Sequence, residues 1–113
     1  MRESHTAVIE RNVTWQGEFS SEPYEVAWAG EALFFIRVLA KANLPDIVAA
    51  HVQISPDGIH WCNEGEILYL PTADYEGDLA FCRVNHFGGW LRLAGEVPED
   101  ASVTVIVYLV LKE

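Results

Sequence analysis

QISPDGIHW, residues 53–61, places the turn sequence Pro-Asp-Gly between two apolar segments and ends on a tryptophan. Pro56 presets its φ at about −65°, and Gly58 has no Cβ to oppose a left-handed backbone. We therefore predict a type I turn over residues 55–58 that closes a three-residue hairpin with a bulge, with Pro56, Asp57 and Gly58 as its structural residues. Trp61 would follow on the return strand and cover the open end of the core.

On both sides of this turn the chain alternates apolar and polar residues, which is the pattern of half-buried β-strands. Short turn sequences rich in Gly, Pro, Asn and Asp separate the alternating segments. The most regular segment is the last, where one side would carry Val103, Val105, Val107, Leu109 and Leu111. We predict an all-β fold, an antiparallel two-sheet β-sandwich of jelly-roll type with about eight strands. It would form a single domain over residues 1–113.

The segment EALFFIRVLAKAN, residues 31–43, is a place where a helix competes with a strand. Its Glu, Ala, Leu, Arg and Lys residues favour a helix. Its Phe34-Phe35-Ile36 run, and the strands expected on either side of it, favour a strand. We predict a strand.

Acidic residues outnumber basic ones by 17 to 7, which gives the chain a formal net charge of −10. A nucleic acid or an anionic membrane surface binds a basic patch, so the composition argues against both partners. The first residues, MRESHTAVIERN, lack the apolar core of a signal peptide, and no segment approaches the ~20 apolar residues of a membrane helix. We expect synthesis in the cytoplasm without a signal peptide, and export by another route or release by lysis stays open.

The sequence VQISPDGIHW resembles the S-x-D-G-x-x-W hairpin of small, jelly-roll-like β-sandwich proteins encoded by bacteriophages and prophage-like loci. The segments SSEPYEVAWAGEALFFIRVLAKANLP and GGWLRLAGEVPEDASVTVIVYLVLK also resemble those proteins, so the likeness extends from Trp15 to Lys112. It implies an accessory or structural role in a virion. The chain is more distantly similar to discoidin-like, galactose-binding sandwiches. It is shorter and lacks their terminal cysteines, so sugar or lipid binding does not carry over.

Two segments would carry apolar residues on both faces, although only one face of a strand meets the core of a sandwich. A second copy of the chain would cover the outer positions most simply. We therefore predict a non-enzymatic structural subunit that self-associates, as a capsid-associated or decoration protein of a phage-like particle whose other partner is a capsid or shell protein. The outer positions are Leu33, Phe35, Leu39, Ile106, Tyr108 and Val110.

Four tryptophans and four tyrosines leave a carbohydrate-binding module as the alternative function. Half-exposed aromatic side chains present an apolar body and a polar tip, which suits interfaces and sugar-binding surfaces. A module of this kind would show a row of coplanar aromatic rings beside polar groups.

Two histidines and two cysteines are candidate zinc ligands: His60, Cys62, Cys82 and His86. Cys82 and His86 lie four residues apart, which is ~13 Å along a strand and too far to hold one ion without a bend. Two cysteines are also too few for a disulfide framework, and whether Cys62 pairs with Cys82 stays open.

Asp74, Glu76 and Asp78 could collect calcium, but their spacing is not that of an EF-hand loop. The sequence has no nucleophile elbow, Gly-rich phosphate loop or paired-carboxylate motif. We predict that the protein is not an enzyme, and that it holds no metal and no cofactor.

Overall fold

The computed structural model describes residues 4–72, 77–85 and 87–113. These residues form strands joined by loops and contain no helix, so none of them forms a helix that could cross a membrane. The strands are β1 (Ser4–Trp15), β2 (Glu18–Ser20), β3 (Tyr24–Glu25), β4 (Glu31–Ala42), β5 (Ala49–Ser55), β6 (Cys62–Tyr69), β7 (Leu79–Asn85), β8 (Trp90–Glu96) and β9 (Ser102–Lys112).

Two antiparallel sheets pack face to face. Sheet I has the strand order β1-β9-β4-β7, and sheet II has the order β2-β8-β5-β6. Strand β3 also pairs with β8, beyond the end of β2, so β2 and β3 together fill one edge position. The described strands therefore occupy eight positions in two four-stranded sheets, with the strand order of a jelly roll. The predicted β-sandwich of jelly-roll type is confirmed.

The core lies between the sheets and is built from the inward positions of the alternating strands. In β9 the five predicted inward residues, from Val103 to Leu111, are all buried. Phe34 and Ile36 of β4 lie beside them in the same sheet. Leu91 and Leu93 of β8 belong to sheet II and are part of the same core. Burying a side chain of this size removes it from water at a gain of about 1.5–3 kcal/mol, and these contacts hold the two sheets together.

Residues 31–42 form strand β4, as predicted, in spite of their helix-favouring composition. The strand pairs with β9 on one side and β7 on the other, so both edges of its backbone are hydrogen-bonded. Tertiary pairing of this kind overrides a weak local preference for helix. The pairing with β9 shifts register between Val38 and Ala40, which leaves Leu39 without a partner in the ladder.

The loop after β5 is longer than the three-residue hairpin that we predicted. It runs from residue 56 to residue 61, and the last cross-strand pair before it joins Ile54 to Cys62. The Asp57 carboxylate oxygen Oδ1 accepts hydrogen bonds from the backbone N–H groups of Ile59 and His60, which extends the turn before the return strand begins. Gly58 has a positive φ of 80°, as the turn sequence predicted.

Candidate functional site

A row of apolar side chains crosses the outer face of sheet I from edge to edge. Val8 of β1 pairs with Tyr108 of β9, Tyr108 pairs with Phe35 of β4, and Phe35 pairs with Phe81 of β7. Directly paired residues of an antiparallel sheet point to the same side. Since the neighbours of Tyr108 in β9 are buried in the core, the whole row faces away from the core.

The rows on either side extend this surface. Val110 pairs with Leu33 in the row nearest the chain ends, and Ile106 pairs with Arg37 in the other. Arg37 in turn pairs with Leu79, which is exposed on the edge strand β7. We call this surface the apolar face and define it by Val8, Leu33, Phe35, Leu79, Phe81, Ile106, Tyr108 and Val110.

Polar rows bound the apolar face at both ends. On one side the next row contains Ser4, Lys112, Glu31 and Asn85. On the other side Thr14 and Thr104 are paired, and their hydroxyl oxygens form a hydrogen bond of 2.9 Å. Four strands about 4.8 Å apart and three rows about 6.7 Å apart cover roughly 400 Å², of which the eight apolar residues fill about two thirds. This is close to the lower end of the roughly 300–600 Å² that the largest apolar patch of a typical monomer covers, and such patches are often functional.

Two arginines are the charged residues among the paired rows of the apolar face. The guanidinium carbon of Arg83 lies 5.2 Å from the centre of the Phe81 ring, and that ring lies 5.7 Å from the Phe35 ring. Arg37 donates from Nε to Asp78 Oδ2 at 3.1 Å, and this contact raises the pKa of Arg37. Arg83 therefore lies over the Phe81 ring and Arg37 is held by Asp78, so both guanidinium groups lie beside the apolar side chains.

Five of the six residues predicted for self-association lie together on the apolar face: Leu33, Phe35, Ile106, Tyr108 and Val110. The sixth, Leu39, is exposed but lies at the register shift of β4, beyond Arg37. Sequence reasoning missed three contributors, Val8, Leu79 and Phe81. The outward position of Phe81 was visible in the alternation of its segment, whereas Val8 joins the face only through its pairing with β9.

The candidate zinc ligands are found in different environments. Cys62 is exposed at the start of β6, whereas Cys82 is buried against the core in β7, and both thiols are free. His60 lies exposed in the loop before β6, with Nδ1 2.7 Å from Asp57 Oδ2. His86 lies outside the described residues. Within residues 4–72, 77–85 and 87–113, no group of three or more His, Cys, Asp or Glu side chains could hold a metal ion.

Burial sets the chemistry of Cys82. Desolvation, with a smaller contribution from the negative charges of Glu66 and Glu64, raises the pKa of its thiol to about 12. A neutral, buried thiol is neither a nucleophile nor a ready metal ligand. Of the three candidate calcium ligands, Asp74 and Glu76 lie outside the described residues, and Asp78 binds Arg37.

The loop over residues 56–61 is held by side-chain oxygens. Ser55 Oγ accepts a hydrogen bond of 2.8 Å from the Gly58 N–H and donates one of 3.0 Å to Asp57 Oδ1. The N–H of His60, its ring and the N–H of Ile59 stabilise the ionised Asp57, and they hold the pKa of that carboxyl well below its ordinary value. The turn assigned to Pro56, Asp57 and Gly58 is thus a local, charge-assisted network.

The aromatic side chains of the carbohydrate-binding alternative are dispersed. Trp15 is buried and stacks on Phe19 at 4.0 Å, and Trp28 is exposed in the loop between β3 and β4. Tyr69 is exposed at the end of β6, on the outer face of sheet II. Trp61 is half-buried outside the core, beneath the guanidinium group of Arg92.

No known protein family matches the sequence, and no curated protein is significantly similar to it.

Proposed function

We propose that the protein is a non-enzymatic structural subunit that self-associates through the apolar face of sheet I. The observation that carries the proposal is the unbroken row Val8–Tyr108–Phe35–Phe81, which crosses all four strands of a sheet whose other face already fills the core. An outer sheet face in contact with water is ordinarily polar. Covering this one removes apolar side chains from water, which favours association.

The charge distribution supports a second copy of the same chain as the occupant. A protein with a net charge of −10 repels its own copies unless they meet where negative charge is absent. No acidic residue lies in the three paired rows of the apolar face, whereas two arginines do, and the Asp78 carboxylate at its edge is paired with Arg37. Two copies related by a two-fold axis would present the same surface to each other, as in most closed dimers.

The size of the apolar face indicates how strongly two copies of the chain should associate. A stable interface buries about 800 Å² on each partner, and weak, transient ones bury less. At roughly 400 Å² the three rows of the apolar face support a weak dimer rather than an obligate one. A subunit of this kind adds to an assembly whose other contacts hold it in place.

We further propose that this assembly is a phage-like particle, in which the protein is capsid-associated or a decoration protein and a capsid or shell protein is its second partner. The support for this part is the resemblance of the hairpin S-x-D-G-x-x-W, residues 55–61, to that of phage β-sandwich proteins. The location of the protein in a virion is part of the same proposal.

Sedimentation velocity over a range of concentrations up to about 500 µM tests self-association. The test variant is Val8→Lys with Phe81→Lys, because these side chains are 40% and 48% exposed and their replacement leaves the core intact. The matched control is Ile59→Lys with Tyr69→Lys, which are 74% and 58% exposed and lie off sheet I.

We expect the parent protein and the control variant to form dimers as concentration rises, and the test variant to stay monomeric. A parent protein that is monomeric throughout the range contradicts the proposal. Equal dimerisation by the test and parent proteins would move the interface away from the apolar face and contradict it as well.

A further inference from the structure

A polar groove of about 620 Å³ lies on the outer face of sheet II, on the opposite side of the sandwich from the apolar face. Its floor is the row in which Ser20, Ala94 and His51 are paired across β2, β8 and β5. Ala94, in the middle of this row, has a small side chain, so the surface there lies below the side chains of the neighbouring rows. Polar and charged side chains of the neighbouring rows form its two rims.

The rims differ in character. One contains Glu18 and Glu96, which lie directly opposite each other on β2 and β8. The other contains Arg92, Gln53 and Asn63, which lie in register across β8, β5 and β6. Arg92 and Glu96 are four residues apart in one strand, so the rims are ~13 Å apart. Acceptors thus line one side of the groove and donors line the other.

The donor rim is held in place before any ligand binds. The Arg92 guanidinium carbon lies 4.3 Å above the centre of the Trp61 ring, and Arg92 Nε donates to Gln53 Oε1 at 2.7 Å. Gln53 Nε2 then donates to Asn63 Oδ1 at 3.1 Å. A side chain fixed by stacking and by a hydrogen bond loses little entropy when it binds a ligand.

This chain of hydrogen bonds leaves donors unused. Arg92 bonds Gln53 through Nε, and its two terminal NH₂ groups have no partner among residues 4–72, 77–85 and 87–113, so they remain for a ligand. Asn63 accepts from Gln53 through its oxygen, and its own NH₂ group therefore points away from that bond. On the opposite rim, Glu18 and Glu96 have carboxylate oxygens in exposed positions. The guanidinium group and the two carboxylates can each form two parallel hydrogen bonds.

The charges and donors of the groove together favour a neutral ligand over a singly charged one. Two carboxylates on one rim and a net charge of −10 disfavour an anion, and a cation drawn to those carboxylates would leave the donors of Arg92 and Asn63 on the other rim without a partner. A neutral polyol avoids both penalties, since each hydroxyl donates to a carboxylate and accepts from a guanidinium or an amide. Adjacent hydroxyls on a ring also match the paired geometry of these planar groups.

We propose that the groove on sheet II binds a neutral oligosaccharide, with Arg92 and Asn63 donating to its hydroxyls and Glu18 and Glu96 accepting from them. Trp61 is a positioning residue in this site, because it supports Arg92 and does not provide the open platform of the aromatic-row alternative. The groove does not depend on self-association. If the apolar faces do pair, each assembly presents several grooves outward, which raises the apparent affinity for a polymer.

Amide NMR of the ¹⁵N-labelled protein tests the site, with maltohexaose, cellohexaose, xylohexaose and hexa-N-acetylchitohexaose as separate neutral probes at up to about 10 mM, since an open groove binds weakly. We expect at least one to give saturable shifts centred on Ser20, Gln53 and Ala94. Shifts from none of them overturn the proposal. Triglycine shifting the same residues while the sugars do not makes the groove a site for a zwitterionic peptide, which also overturns it.

Arg92→Met should weaken the bound saccharide at least about tenfold, since a hydrogen bond to a charged group contributes about 1.5–3 kcal/mol. Arg83→Met is the matched control, because that arginine is also stacked on an aromatic ring but lies on sheet I, and it should leave binding unchanged. Asn63→Ala, at an exposed position of an edge strand, gives a second variant if the first fails to fold. Unchanged affinity in both groove variants contradicts the assignment.

Trp61→Leu separates positioning from a purely structural effect. It should weaken saccharide binding and at the same time change the ¹⁵Nε resonance of Arg92 in the free protein, since the ring current of Trp61 acts on that group. Weaker binding with an unchanged Arg92 resonance would contradict the positioning role. Sedimentation of the Arg92, Asn63 and Trp61 variants should match the parent protein, so a failure of the groove is distinguishable from a failure of self-association.

Discussion

The guanidinium group of Arg92, on strand β8, lies over the ring of Trp61, with 4.3 Å between its carbon and the ring centre. Trp61 was expected to cover the open end of the core, but it lies outside the core and contacts the outer face of sheet II. The loop over residues 56–61 places Trp61 on this outer face, immediately before β6 begins. Trp61, the last residue of the S-x-D-G-x-x-W sequence, therefore supports an arginine on the outer surface and does not fill the core.

Gly58→Ala should destabilise the fold more than Gly77→Ala. Both glycines have a φ of 80°, so both substitutions cost about 1–2 kcal/mol for the left-handed backbone. A Cβ at Gly58 would also lie 3.1 Å from the ring of Trp90, whereas nothing lies within 4 Å of one at Gly77. Overpacking of that kind costs typically a further ~1–3 kcal/mol. Urea unfolding of both variants measures the difference, and equal free energies of unfolding would contradict the Trp90 contact.

Asp57→Asn should lower the melting temperature at neutral pH and have less effect in acid. The pKa of Asp57 is depressed in the folded state by the N–H and ring of His60 and by the N–H of Ile59. A depressed pKa stabilises the fold above the unfolded value of about 3.9, and this stability is lost as pH falls below it.

Thermal melts of the parent and the Asp57→Asn protein between neutral pH and about pH 2.5 follow this loss. The two melting temperatures should converge as the pH drops. Asp46→Asn is a suitable control, because Asp46 is exposed and the hydrogen bond that it accepts from Thr72 Oγ1 goes to its backbone carbonyl and not to its carboxylate. A gap for Asp57→Asn that stays constant with pH would contradict the carboxylate network.

Only Cys62 should react with a thiol reagent in the native protein. Cys62 is exposed, whereas Cys82 is buried and its pKa is raised to about 12, so at pH 8 it is protonated and inaccessible. Titration with Ellman's reagent should release one equivalent quickly and a second on unfolding in guanidinium. Cys62→Ser should abolish the fast phase, and Cys82→Ala should keep it. The reverse pattern would contradict the assignment of Cys62 as the exposed thiol and Cys82 as the buried one.

Much of the fold follows from local pattern. Period-two alternation identified the buried rows of β4, β5, β8 and β9, because successive side chains of any strand point to opposite sides whatever the strand pairs with. The same rule showed that β4 and β9 carry apolar residues on both of their faces. Gly58 could also be assigned a positive φ, since its conformation is set within the turn.

The longer loop after Gly58 could not be predicted in the same way. The turn sequence fits a three-residue hairpin as well as the observed loop, and the choice depends on where β6 pairs with β5. The Asp57 carboxylate stabilises the longer path by accepting two further N–H groups. Turn propensity describes four residues, whereas loop length also depends on register.

The sequence by itself determined which residues of each strand face inward, because side-chain alternation is a property of the extended backbone alone. Only the tertiary structure decided which outward residues become neighbours. Val8 pairs with Tyr108, which lies 100 positions later in the chain, and Arg92 of β8 contacts Trp61, which precedes β6. Such neighbours depend on strand order and register, which are fixed by the packing of the whole core and not by any single segment. The apolar face and the polar groove both arise at that level.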